Sequence, residues 1–201
     1  MTGSASADVF FDFSASGHGF TSAGSPSWVW GGAYPAPGGV AWSTPGGIST
    51  ANTLTSPVLT VTTAGFITGS FTHRYNFEDR FDSGVIKFQR NDEGIHVIPA
   101  SLMPMNPPTG SADRFTGTSP GWIDPGYITT TFTLGAAVFG PALFEVGDRV
   151  IFQFNAGWDH VTTWDAPNWQ IGSLRLSNVV PSPGGAALLG LAGVLAGRRR
   201  R

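Results

Sequence analysis

No cysteine occurs in the 201 residues of this chain, which excludes a disulfide framework, a thiolate zinc site and a cysteine nucleophile together. The core must hold without covalent staples, as a domain of roughly 170 residues can. Charge is also sparse, at 12% of residues. All 13 acidic residues lie between Asp8 and Asp165, and four of the 11 basic ones form the terminal run Arg198 to Arg201. The body therefore carries seven basic against 13 acidic residues, a net charge of −6. It lacks the basic face that a nucleic-acid partner requires, so no nucleic acid is expected as a partner.

Catalytic signatures are missing as well. The histidines His18, His73, His96 and His160 are scattered singly, without a pair at metal-binding spacing, which argues against catalytic zinc. The stretch Gly117-Thr118-Ser119-Pro120-Gly121 imitates a serine-hydrolase elbow, but its proline stands where the elbow would enter a helix. Glu78 with Asp82 is the local carboxylate pair worth testing for glycoside hydrolysis, and its spacing sets both on one edge of a strand and turn. The chain is read as no enzyme. No repeat of 20 to 50 residues points to a solenoid or propeller.

What the chain does have is strand periodicity. From Gly65 to Glu78 the pattern alternates strictly, with Ile67, Gly69, Phe71, His73, Tyr75 and Phe77 on one side and Thr68 to Glu78 on the other. A long half-buried strand is the consequence. His73 thus falls among core or core-edge positions, hydrogen-bonded to a neighbour. Shorter runs at Asp8 to Phe13, Leu54 to Val61, Val85 to Gln89, Ile128 to Leu134, Val150 to Asn155 and Trp169 to Leu176 read the same way. The segments Gly31 to Gly47, Met103 to Gly110 and Ser119 to Gly126 are too rich in Pro and Gly for helices of useful length. The expected fold is all-β, an antiparallel jelly-roll β-sandwich over residues 8–179, followed by a short hydrophobic C-terminal helix.

The two ends differ from the body. Val180-Pro181-Ser182-Pro183 leads into 14 residues, Gly184 to Gly197, made only of Gly, Ala, Leu and Val, and then into Arg198, Arg199, Arg200 and Arg201. That apolar stretch is shorter than the ~20 residues a full span needs. The tail, residues 180–201, resembles the PEP-CTERM sorting signal, with Ser182 where that family usually has Glu. The resemblance implies recognition by an exosortase, transient insertion into the inner membrane with the arginines on the cytoplasmic side, and delivery to the cell envelope or exterior. Residues 1–7 show no basic or apolar export region, yet Ala5-Ser6-Ala7 before Asp8 looks like the end of a signal peptide. They are expected to be its remnant, with the export machinery as a partner.

The body also resembles a jelly-roll module of the MAM type, similar to those of immune inhibitor A-type peptidases. The resemblance rests on Ser56 to Leu59, His73 to Val85, Phe115 to Trp122 and Trp169 to Leu176, in that order. It implies an accessory or binding role and a structural Ca²⁺. Glu78, Asp79 and Asp82 put three carboxylates within five residues at a strand end, oxygen ligands of the kind calcium takes, and Asp12 on the first strand would complete the set. Gly172-Ser173 stands where the family has paired aspartates. A further candidate is the polar loop Trp158 to Asp165. With Trp122, its Trp158, Trp164 and His160 are residue types that stack on and hydrogen-bond to sugars. The leading expectation is a non-enzymatic exported β-sandwich of the envelope or extracellular matrix. The alternatives are a carbohydrate-binding module that holds extracellular polysaccharide with its tryptophans, and an uncharacterised hydrolase.

Overall fold

A computed structural model describes residues 7–45, 48–123, 126–135, 143–161 and 167–182. The strands are β1 (Val9–Asp12), β2 (Thr21–Gly24), β3 (Val29–Gly31), β4 (Ala41–Thr44), β5 (Ile48–Thr55), β6 (Leu59–Val61) and β7 (Ile67–Tyr75), then β8 (Ser83–Arg90), β9 (His96–Val97), β10 (Ile128–Leu134), β11 (Arg149–Val161), β12 (Trp169–Leu176) and β13 (Val179–Pro181). A 3₁₀ turn at Ala100–Leu102 and a single helical turn, α1 (Pro120–Ile123), complete the elements. The strands form two sheets, and every pairing between them is antiparallel. The first runs β10-β7-β12-β4-β3 with β1 also on β12; the second runs β13-β6-β11-β5-β2 with β8 on β11 and β9 on β8. This is the expected jelly-roll sandwich.

Alternation explains the long strands. In β7 Ile67, Phe71, His73 and Tyr75 are buried, and in β11 Phe152, Phe154, Ala156 and Trp158 are buried, so both strands turn one face inward with period two. Between the sheets lies an aromatic core centred on Trp169, whose ring lies 5.7 Å from Phe154, 5.8 Å from Phe115, 5.9 Å from Phe77 and 5.6 Å from Trp28. Each such pair adds roughly 0.5–1.5 kcal/mol beyond the area it buries. Gly84 on β8 leaves the space that ring fills, since a Cβ there would sit 2.5 Å from the indole.

Several boundaries differ from the expected ones. Leu54 to Val61 is two strands, because Ser56-Pro57 interrupts it: β5 ends at Thr55 and β6 resumes at Leu59, as a proline without an N–H dictates. The Pro- and Gly-rich segment 31–47 nevertheless holds β4, all four of whose residues are buried. Trp158 to His160 belong to β11, so the expected polar loop is in part a strand. At the other end the sandwich continues past Val179. Val180 pairs with Thr60 and Pro181 with Leu59, and the Ser182 N–H donates to Val58 O at 3.0 Å. Val180, Pro181 and Ser182 are thus part of the second sheet's edge. Ala7 also joins the fold, its carbonyl accepting the Val179 N–H at 3.1 Å. Pro183, the apolar stretch 184–197 and Arg198 to Arg201 lie outside the described residues, as do residues 1–6. Among the described residues no helix is long and apolar enough to cross a membrane.

Candidate functional site

The two outer faces of the sandwich differ. On the first sheet, Gln170 and Ser43 point away from the core yet are fully covered. The Arg74 Nη2 and Gln170 Nε2 groups donate to Pro35 O at 2.6 and 3.2 Å, Arg74 Nε donates to Gln170 Oε1 at 2.6 Å, and Gln170 Nε2 also donates to Ser43 Oγ at 3.0 Å. The Arg74 guanidinium lies 4.9 Å over the Trp122 ring. Segments 32–40, 117–123 and 126–127 therefore close that face. Burial holds the Arg74 guanidinium below and pushes the Tyr127 hydroxyl up to about 12.

The second sheet stays open over β5, β11 and β8. Their outward positions include small residues at the centre, where Gly157 faces Ala51 on one side and Ser83 on the other. The result is a recess of about 560 Å³ floored by Ala51, Ser83 and Gly157 and walled by Phe81, Lys87, Arg114 and Asn155. A second recess of about 510 Å³ shares Ser83 and Arg114 with it and runs on past Thr109, Thr116 and Arg80. Together they make one groove. Phe81 is 60% exposed at its rim. The Asn155 amide donates to Thr53 Oγ1 at 2.6 Å, while its buried carbonyl oxygen has no hydrogen-bond partner among the described residues.

At one end of the groove the turn between β7 and β8 brings carboxylates together. The Thr116 hydroxyl donates to Asp82 O at 2.9 Å and accepts the Arg80 N–H at 3.0 Å, while Gly84 and Phe115 exchange both backbone bonds. Segment 115–118 thereby fixes the turn. Asp82 points inward, and its Oδ1 accepts the Asp159 N–H at 3.2 Å, just beyond the last ladder pair, Gly157 with Ser83. Oxygens of Glu78, Asp82 and Asp159 lie within 4.8 Å of one another. Burial pushes the Asp82 carboxyl above its ordinary value, the Asp159 N–H opposes this, and the charges of Asp159 and Glu78 add to the rise.

The expected calcium ligands are therefore divided. Glu78 and Asp82 meet, and Asp159 joins them although its sequence position gives no local hint. Asp79 is exposed beside Arg80, 3.6 Å away. Asp12 lies on β1, where its Oδ1 accepts the Ser14 hydroxyl at 2.7 Å and N–H at 3.0 Å, bonds that lower its carboxyl from the usual value. Gly172, one of the two residues replacing the family's aspartates, is the extra residue in the β7–β12 register, between Ile171 opposite His73 and Ser173 opposite Thr72. A side chain there would meet Tyr127 at 2.5 Å.

Of the expected sugar-stacking residues, the side chains of Trp158 and Trp122 are among the described ones. Trp158 is 5% exposed and donates its indole N–H to Asn168 Oδ1 at 3.0 Å. It is a core residue, its ring face being covered, and not a stacking platform. Trp122 is half-buried beneath Arg74. Trp164 and the His160 side chain lie outside the described residues. His73 is buried, its Nδ1 accepting the Trp169 indole N–H at 3.1 Å and its Nε2 bonding Thr130 Oγ1 at 2.8 Å.

No protein-family model and no curated protein matches the chain in sequence. Solved structures match in fold. They include the CBM22-1 xylan-binding domain of Paenibacillus barcinonensis Xyn10C, 9% identical over 87% of this chain and 94% of that one, with a TM-score of 0.48. TmCBM61 in complex with β-1,4-galactotriose is 11% identical over 82% of this chain and 92% of that one, at 0.47. A family 35 carbohydrate-binding module from Clostridium thermocellum is 16% identical over 84% of this chain and 98% of that one, at 0.43. At such identities and scores these likenesses carry no argument about a ligand.

Proposed function

We propose that the chain is an exported, non-catalytic β-sandwich that binds extracellular polysaccharide along the open face of its second sheet. The observation that carries this reading is the groove between Phe81, Lys87, Arg114 and Asn155. A sugar ring offers an apolar face and a rim of hydroxyls. The exposed Phe81 ring suits the face, and the Arg114 guanidinium and Lys87, the only lysine of the chain, suit the hydroxyls. The small floor residues let a chain of rings lie close to the sheet.

Against hydrolysis stands the placement of the carboxylates. Cleavage needs two of them about 5–9.5 Å apart across a bound sugar. Glu78, Asp82 and Asp159 instead converge on one rim within 4.8 Å, and Asp82 is fully buried. Sorting to the envelope or matrix by the PEP-CTERM-like tail, with an exosortase as partner, completes the proposal.

A glycan-array screen of the folded chain tests the binding role. A positive signal that disappears in Arg114→Ala and persists in Trp164→Ala supports the groove, whereas loss in Trp164→Ala alone moves the site to the tryptophan segment. Export and sorting are read separately, from the intact mass of native protein recovered from envelope and culture fluid. A tail retained in full and found only in membranes would replace sorting by simple anchoring.

A further inference from the structure

The acidic body holds seven basic residues, and five of them are engaged. Arg74 donates to Pro35 and Gln170, Arg80 lies 3.6 Å from Asp79, Arg90 2.8 Å from Asp148 and Arg149 3.0 Å from Asp92, and the Arg175 guanidinium lies 5.0 Å over the Phe10 ring. Lys87 and Arg114 remain. Neither side chain has an ion pair, hydrogen bond or ring contact among the described residues, and both line the groove of the second sheet.

Their positions follow from the strand register. Ser83, Val85 and Lys87 share the outward face of β8, so Lys87 stands about 13 Å along the strand from Ser83. Arg114 stands at the Ser83 end, because Phe115, its neighbour in sequence, exchanges backbone bonds with Gly84. A chain laid along the groove passes one cation after the other. Of the carboxylates nearby, Asp79 faces Arg80 and Asp82 is buried. Asp159 lies beyond Gly157, the partner of Ser83, whereas Lys87 faces Gln153, six residues back along β11 and about 20 Å away.

We propose that the polysaccharide held in this groove is an acidic one, whose carboxylate or sulfate groups are received by Arg114 and Lys87 in turn. This deepens the polysaccharide reading and rests on it. A guanidinium grips two oxygens of such a group with parallel N–H bonds, and an ammonium meets it as a point charge. The net charge of the body does not oppose the contact, since repulsion from exposed carboxylates is screened beyond ~8 Å at physiological ionic strength. Each exposed contact is weak, and repetition along a polymer makes the sum appreciable. Two cations fall short of the phosphate contacts that carry nucleic-acid binding.

The test is calorimetric titration of the full chain at pH 7.5 with two matched pairs, polygalacturonate with its carboxyl-reduced product, and dextran sulfate with dextran. The charged member of at least one pair is expected to bind about tenfold tighter than its neutral partner, the size of one charge-assisted hydrogen bond, and to lose affinity as NaCl rises. The pair that shows it tells carboxylate from sulfate ester. Lys87→Gln and Arg114→Gln are each expected to weaken that binding by about threefold to tenfold at an unchanged melting temperature, while Arg149→Gln, which removes a paired cation outside the groove, leaves it unchanged. Charged and neutral members bound equally, or a neutral polysaccharide bound where both charged ones fail, would overturn the acidic class and leave the polysaccharide reading standing; no polysaccharide bound at all would overturn both. Unchanged affinity in both groove variants would overturn the placement, and DNA bound as tightly as the preferred polysaccharide would replace it with a general polyanion surface.

Discussion

The indole N–H of Trp169 donates to Nδ1 of His73 across 3.1 Å in the middle of the sandwich. That bond fixes the tautomer, so the imidazole carries its proton on Nε2 and gives it to Thr130 Oγ1, which in turn donates to Asn106 O at 2.8 Å. A buried polar chain is thus satisfied from end to end, which makes it specific and intolerant of an added charge.

Stability should therefore depend on acid through His73. Burial lowers its pKa from 6.5 to about 3. Below pH 6.5 the unfolded chain takes up a proton that the folded one refuses, so stability falls as the pH drops from 6.5 towards 3. The slope from this group is up to about 1.4 kcal/mol per pH unit. Urea unfolding between pH 7 and 4 is expected to show that loss, and His73→Gln, which keeps a donor and an acceptor, to flatten it while lowering stability at pH 7.

Gly84 should be irreplaceable for a different reason. Its missing side chain is the space of the Trp169 ring, whose atoms a Cβ would meet at 2.5, 2.6 and 3.0 Å. Gly84→Ala is expected to destabilise by about 1–3 kcal/mol through overpacking, read as a lower midpoint in urea with an unchanged slope.

Asp82→Asn tests the cost of the buried carboxylate. The amide removes a buried charge and its repulsion from Glu78 and Asp159. The variant is expected to melt higher than the parent at pH 7.5. A variant that melts lower would mean that the Asp82 carboxylate makes a favourable interaction that the amide does not.

Much of this architecture is legible in the sequence where one face of a strand is wet. The alternation in 65–78 marks β7, and the same period carried on through Phe152, Phe154 and Ala156 would have placed Trp158 inward. The β4 strand escapes because both its faces are covered, which erases alternation, and because prolines and glycines surround it. The β13 strand escapes because Val-Val-Pro-Ser reads as the start of a tail and only its pairing with β6 makes it a strand. At the carboxylate cluster, Glu78 and Asp82 are visible as neighbours in one turn. Asp159 is 77 residues from Asp82, and only the register of β11 on β8 brings them together. The groove follows from the same register, since small residues at 51, 83 and 157 become a floor only once the three strands align.

The central claim, polysaccharide bound on the open face of the second sheet, is tested most directly by affinity gel electrophoresis. The full chain and the double variant Phe81→Ala/Arg114→Ala are run through gels containing a panel of extracellular polysaccharides. The account predicts retardation of the parent by at least one polysaccharide, and loss of that retardation in the double variant at an unchanged melting temperature. A parent that no polysaccharide retards, or a double variant retarded as strongly as the parent, would contradict it.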